Sequence, residues 1–136
     1  DLGAGGRTLE QAELELMHAL KTGALIRAAV LLGAMCGDDF PAEAREALDR
    51  FAKRAGLLFQ VVDDILDCTA NTATLGKTAG KDAQADKPTY VSLLGVTRAR
   101  ALAEEMCQDA LDRLAAFGEP ARRLSELTRF IVHRQF

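Results

Sequence analysis

From Leu48 to Leu66 apolar residues recur at steps of three and four, through Phe51, Ala52, Ala55, Leu58, Phe59, Val62 and Ile65. Kept up for about five turns, this spacing lays one apolar stripe along an α-helix and does not fit the two-residue alternation of a strand. A helix of that length needs other helices to cover its stripe. Composition agrees, since the chain has 24 Ala and 20 Leu against nine Val and Ile together. Ala and Leu favour helices, whereas β-branched residues favour sheets. The expected fold class is therefore all-α, a helical bundle forming a single domain over residues 1–136.

The chain is 49% hydrophobic and 27% charged, with a net charge of −3. These values exclude a disordered tail and a basic face for nucleic acid. The longest apolar run, Ala28 to Cys36, is nine residues. That is too short to cross a bilayer, and no transmembrane segment is expected. Cys36, Cys68 and Cys107 are far apart and lack CxxC spacing, which fits a reducing compartment and a cytoplasmic location. Two histidines, His18 and His133, are too few for a histidine-rich metal site.

The flanking elements are read in the same way. Thr8 and Gln11 form a capping-box pattern, followed by an inward stripe of Leu9, Ala12, Leu16, Met17 and Leu20, with Leu14 off it. Lys21-Thr22-Gly23 interrupts the pattern. Residues 24–35 are apolar nearly all round and are expected to be buried, with Arg27 needing a partner and Lys21, if buried, an anionic one. Pro41, Glu43 and Glu46 open the long helix, which is expected to end near Cys68. Residues 69–87 lack periodicity and are read as a ligand loop or lid. A short helix follows from Pro88 to Leu94, and another helix runs from about Thr97 to Phe117. The second of these buries Leu102, Ala103, Met106, Ala110, Leu111 and Leu114. A last helix buries Leu124, Leu127 and Ile131.

Gln60, Asp63, Asp64 and Asp67 fall on one stripe of the long helix. Three carboxylates at i, i+1 and i+4 repel one another, and Asp is a poor helix former. At the expected C-terminal end, the helix dipole disfavours them further. Natural sequences accept such conflicts mainly at functional sites. A divalent cation relieves the repulsion, and Mg²⁺ takes one or two carboxylates and completes its shell with water and phosphate oxygens. A solvated acidic face is the plainer alternative, weakened here by the apolar Phe59, Val61 and Val62 alongside. Lys77, Lys81 and Lys87, among Gly76, Thr78 and Gly80, supply point charges suited to a diphosphate. Ordinary loop solubility explains the same lysines less well beside the carboxylates.

Three segments, KTGALIRAAVLLGAM, GLLFQVVDDILD and TATLGKTAGKDAQADKPTYVSLLG, together resemble the C-terminal half of a trans-prenyl diphosphate synthase, closest to the bacterial short-chain, farnesyl-forming subgroup. The motif FQxxDDxxD followed by LGK, AGKD and DKxTY carries the resemblance, which runs through the whole chain. It implies the C-terminal part of the isoprenoid synthase fold and a prenyltransferase joining isopentenyl diphosphate to an allylic diphosphate. It implies Mg²⁺, or Mn²⁺, on Asp63, Asp64 and Asp67. Lys21 and Lys77 would hold the allylic diphosphate, with Lys87 in support. Thr22 and Gln60 would stabilise the allylic cation, and Phe59 would pack beside the prenyl chain. Family members are homodimers and carry a first aspartate-rich motif that these residues lack, so the chain reads as half of a metal site, inactive by itself. A non-catalytic helical subunit, a geranylgeranyl diphosphate synthase and a terpene cyclase are the alternatives.

Overall fold

The structure is a computed structural model and describes residues 10–37, 39–74 and 88–136. Thr8, Leu9 and the lysines Lys77, Lys81 and Lys87 lie outside the described residues. Every regular element described is helical. They are α1 (Gln11–His18), a π turn (Ala19–Gly23), α2 (Ala24–Met35), α3 (Ala42–Thr74), α4 (Tyr90–Leu94), α5 (Val96–Leu114) and α6 (Arg122–His133). Short 3₁₀ turns, Ala115–Phe117 and Glu119–Ala121, connect the last two.

The apolar stripe of α3 is the centre of the fold. At its N-terminal end Leu48, Phe51 and Ala55 pack with Ala110, Leu114 and Ala121. Further along, Leu58, Val61, Val62 and Ile65 pack with Leu14, Tyr90, Ala103, Met106, Cys107 and Ile131. The helix continues past Cys68 to Thr74, longer than its apolar pattern predicts. Thr69 and Thr72 lie in this extension, where their hydroxyls donate to the carbonyls of Ile65 and Cys68 and so find partners within the helix.

Helix α1 starts beyond Glu10, whose N–H donates to Glu13 Oε2 at 3.2 Å. Its inward side differs from the expected one. Leu14 is fully buried, while Leu16 and Leu20 are 62% and 71% exposed. Nor is α2 buried all round, since Leu25, Leu32 and Met35 are exposed and Arg27 pairs with Asp49 of α3. None of the described elements covers this outer side, which explains why apolar count overstated its burial. The expected break at Lys21-Thr22-Gly23 is instead a π turn within one helix from Gln11 to Met35. That helix has 25 residues, and an 18-residue window within it reaches a mean hydropathy of 1.3, long and apolar enough by those measures to cross a membrane. The nine-residue run understated it. Length and composition do not make it a span, because Glu13, Glu15, Lys21 and Arg27 punctuate it and Arg27 is bound to α3.

In α6, Ile131 is buried and Leu124 packs on the core as expected, but Thr128 rather than the 53% exposed Leu127 takes the inward position between them. The Thr128 hydroxyl donates to Leu124 O at 2.7 Å, which lets a polar residue take the inward position. Leu102 and Leu111 of α5 are partly rather than fully buried.

The closest helix contact joins the π turn to α3. A Cβ placed on Gly56 would stand 3.0 Å from Gly23 Cα, and backbone cannot step aside as a flexible side chain can. Gly56→Ala should therefore destabilise the fold despite its gain in helix propensity, because overpacking costs about 1–3 kcal/mol against about 1 kcal/mol gained. Gly33→Ala, with nothing within 4 Å, should instead raise stability by up to about 1 kcal/mol. Denaturant melts of the two variants check this, and opposite signs are the expected result.

Candidate active site

Fixing Gly23 against Gly56 sets the π turn beside the next turns of α3, where Gln60 is buried and the aspartates follow. Wide π turns are uncommon and occur often at functional sites. Lys21 is exposed, contrary to the reading of a buried cation, and Thr22 is half-buried. His18, one turn before Lys21, is 7% exposed. Its ring stacks on Tyr90 of α4 with centroids 5.5 Å apart and planes 17° apart.

The aspartates do not form one group. Asp64 turns inward, where its Oδ2 accepts the Tyr90 N–H at 2.9 Å and lies 3.9 Å from His18 Nε2. Neither His18 nitrogen completes a hydrogen bond. Burial lowers the His18 pKa from the ordinary imidazole value, and nearby Lys21 adds to this, while Gln60 and Asp63 oppose it. Asp63 is partly exposed and accepts a hydrogen bond from Arg134 just beyond α6. Arg134 also lies over the Phe59 ring at 4.3 Å and donates to Phe59 O at 3.4 Å. Asp67 is exposed. Since α3 runs about two turns past Asp67, none of the three carboxylates meets the dipole penalty of a terminal turn.

The structure thus sets Phe59, Gln60, Asp63 and Asp64 along the middle turns of α3, with the π turn that bears Lys21 and Thr22 packed on the same helix at Gly56. Carboxylate oxygens suit a hard divalent cation. Among the described residues, however, no three His, Cys, Asp or Glu side chains stand close enough to hold a metal ion. Asp63 and Asp67, one turn apart on α3, are the pair left facing outward. Sequence reasoning missed His18, Tyr90 and Arg134. His18 was signalled by its position one turn before Lys21, and Tyr90 by its place in the DKxTY motif. Arg134 had no local signal, because the residues it meets are 71 and 75 positions away.

A polyprenyl synthetase family signature matches residues 2–121, and the chain belongs to that family. It is similar to the farnesyl diphosphate synthase of Escherichia coli, 44% identical over 98% of this chain and 46% of that protein. It is also similar to a chloroplastic geranylgeranyl pyrophosphate synthase of Catharanthus roseus, 48% identical over 89% of this chain and 34% of that one. Among solved structures, a Helicobacter pylori geranyltransferase complexed with magnesium and isoprenyl diphosphate superposes with a TM-score of 0.75 and 30% identity, over 97% of this chain and 43% of that one. The chain therefore spans under half the length of the relatives it matches.

Tyr90 is the sole tyrosine in a chain without tryptophan, which makes its ionisation directly readable. Burial pushes the phenol well above its ordinary pKa, and the charges of Glu15 and Asp64 add to the effect. The folded-state value lies above the unfolded one, so stability is complete below about pH 10 and falls as pH rises beyond it. A spectrophotometric titration should show no phenolate near pH 10 in the native protein and ordinary ionisation in denaturant. Native ionisation near pH 10 would contradict the burial.

Proposed function

We propose that the protein containing this chain is a prenyltransferase that condenses isopentenyl diphosphate with an allylic diphosphate to farnesyl diphosphate, the chain providing one half of the active site. The observation that carries this reading is the packing of the π turn that bears Lys21 and Thr22 on α3 through Gly23 and Gly56, about one turn before Gln60 and ahead of Asp63 and Asp64, positions where the family resemblance implies substrate-binding and catalytic roles. The Helicobacter pylori relative, described as complexed with magnesium and isoprenyl diphosphate, supports the cofactor and the substrate class. Geranylgeranyl diphosphate is the alternative product, favoured by the 48% identity to the Catharanthus roseus protein.

In this reading Asp63 and Asp67, with Asp64 behind them, hold Mg²⁺ or Mn²⁺ together with diphosphate oxygens and water. The metal, when bound, draws negative charge from the leaving diphosphate. Lys21 binds the same diphosphate from the π turn, and Lys77 and Lys87 act with it. The Thr22 carbonyl and the Gln60 amide face the reacting carbon and stabilise the allylic cation. Phe59 packs beside the prenyl chain. The double bond of isopentenyl diphosphate attacks C1 of the allylic cation, and the proton released passes to the departing diphosphate, so no side-chain base is needed. Walls that exclude water protect the cation.

Lys21→Ala and Asp63→Asn, made in the protein expressed from the whole coding sequence, should each lower turnover by about 10²-fold or more. Lys77→Ala should lower it more than Lys81→Ala. The assay is isopentenyl and geranyl diphosphates with Mg²⁺, read by product chromatography, which also separates farnesyl from geranylgeranyl product. The 136-residue chain alone should give no turnover. Full activity in both the Lys21 and Asp63 variants would remove the reading.

A further inference from the structure

Arg134 contacts the acidic end of α3 in a way that the reaction described above does not use. Its side chain is 11% exposed, against 40% for Asp63. One guanidinium reaches the Asp63 carboxylate, the Phe59 carbonyl and the Phe59 ring face. Yet its Nε is buried without a partner, so the planar fork is only partly satisfied. It sits where α6 ends, with the backbone turning to an extended conformation. Gln135 and Phe136 follow, both exposed and outside any helix.

These facts bear on how a divalent cation could reach Asp63. The guanidinium hydrogen-bonds Oδ1, the oxygen of Asp63 nearest to it, and carries a full positive charge. A metal ion bound to the same carboxylate would lie within a few ångströms of that charge, where like-charge repulsion is strong in a partly dry site. The two cations would therefore compete for Asp63, most directly at Oδ1. Of the two, the guanidinium stands on extended backbone just past the end of α6, while Asp63 is in the middle of a 33-residue helix. A charge left buried without its partner is also unfavourable, so an arginine that loses Asp63 should leave the pocket.

We propose that Arg134 is a displaceable internal counter-ion. It holds the Asp63 charge when no metal is bound, and it yields the carboxylate to a divalent cation, so that metal binding frees residues 134–136 from the site. This rests on the reading of Asp63 as a metal ligand. It assigns a positioning role to a residue that touches neither substrate nor metal when it does its work.

The test has two readouts, neither of which is catalysis. Trypsin must seat an arginine side chain to cut after it, so cleavage after Arg134 in the wild-type chain reports release of that side chain. Millimolar Mn²⁺, alone and with inorganic pyrophosphate, should speed this cleavage several-fold, while cleavage after the exposed Arg122 stays unchanged. Asp63→Asn should be cut quickly without Mn²⁺ and should not respond to it. In parallel, Mn²⁺ binding followed by the loss of its free-ion electron paramagnetic resonance signal should be several-fold tighter for Arg134→Gln than for wild type. Arg122→Gln serves as the control for a simple change of net charge. The trypsin arm uses wild-type protein, so misfolding of the Arg134 variant cannot decide the outcome.

Saturable Mn²⁺ binding with unchanged cleavage after Arg134 would overturn the counter-ion role and leave the metal reading standing. Equal or weaker Mn²⁺ binding by a folded Arg134→Gln would do the same. Release by pyrophosphate without Mn²⁺ would make Arg134 an anion ligand and overturn the assignment. No saturable Mn²⁺ binding in either protein, with or without pyrophosphate, would remove the metal reading and this inference together.

Discussion

Burial of one side of α3 places everything else in this chain. Two apolar groups lie along the same helix, one with α5 and the turns after it, the other with α1, α4, α5 and α6. Helix α5 lines both groups as the partner of α3, whereas α2 has no fully buried residue and α4 has only five residues. The site occupies the end of α3 that carries the larger apolar group. The aspartates are thus held by a rigid element with its own apolar foundation, which is where precise functional groups are best supported.

The three carboxylates also show how a fold divides like charge among different partners. Asp64 is turned inward to a backbone N–H, Asp63 is covered by a guanidinium, and Asp67 remains in water. A hydrogen bond to an ionised acceptor is stronger than one between neutral groups, and Asp63 and Asp64 each accept at least one. Repulsion that looks severe along the helix is therefore eased by donors from distant parts of the chain. His18 contributes differently. It fills space against Tyr90 as a flat, buried ring whose charging is disfavoured by its surroundings.

Much of the architecture was legible because α3 repeats its pattern long enough to leave one solution. The limits of α2 and the stop at Gly95, where φ is +80°, also followed from local chemistry. What failed was the direction of the shorter helices. Leu14 and Thr128 face inward where Leu16, Leu20 and Leu127 were expected to, because an apolar residue on a helix with one open side need not point to the core. The long helix outlasted its apolar pattern because residues 69–73 are exposed, and apolar periodicity marks only the buried part of a helix. In the candidate site, Asp63, Gln60 and Lys21 were findable from spacing and motif. Arg134 was not, since its meeting with Asp63 depends on how α6 docks and leaves no trace in neighbouring residues.

The π turn has a consequence for how this region can vary between related proteins. A turn closed by i→i+5 bonds holds about one residue more than an α-turn, so it advances the phase of all that follows by about 100°. Residues 19–23 thus act as a phase step between two stretches of one continuous rod. Removing a single residue there would restore an unbroken α-helix and leave its ends capped. It would also roll α1 against α2, so that His18 and Gly23 could not both meet their present neighbours. In most proteins a one-residue length change is tolerated best in surface loops and worst in strands. Here the sensitive point is inside a helix, and alignments that place a gap within these five residues would describe a different juxtaposition of the two halves.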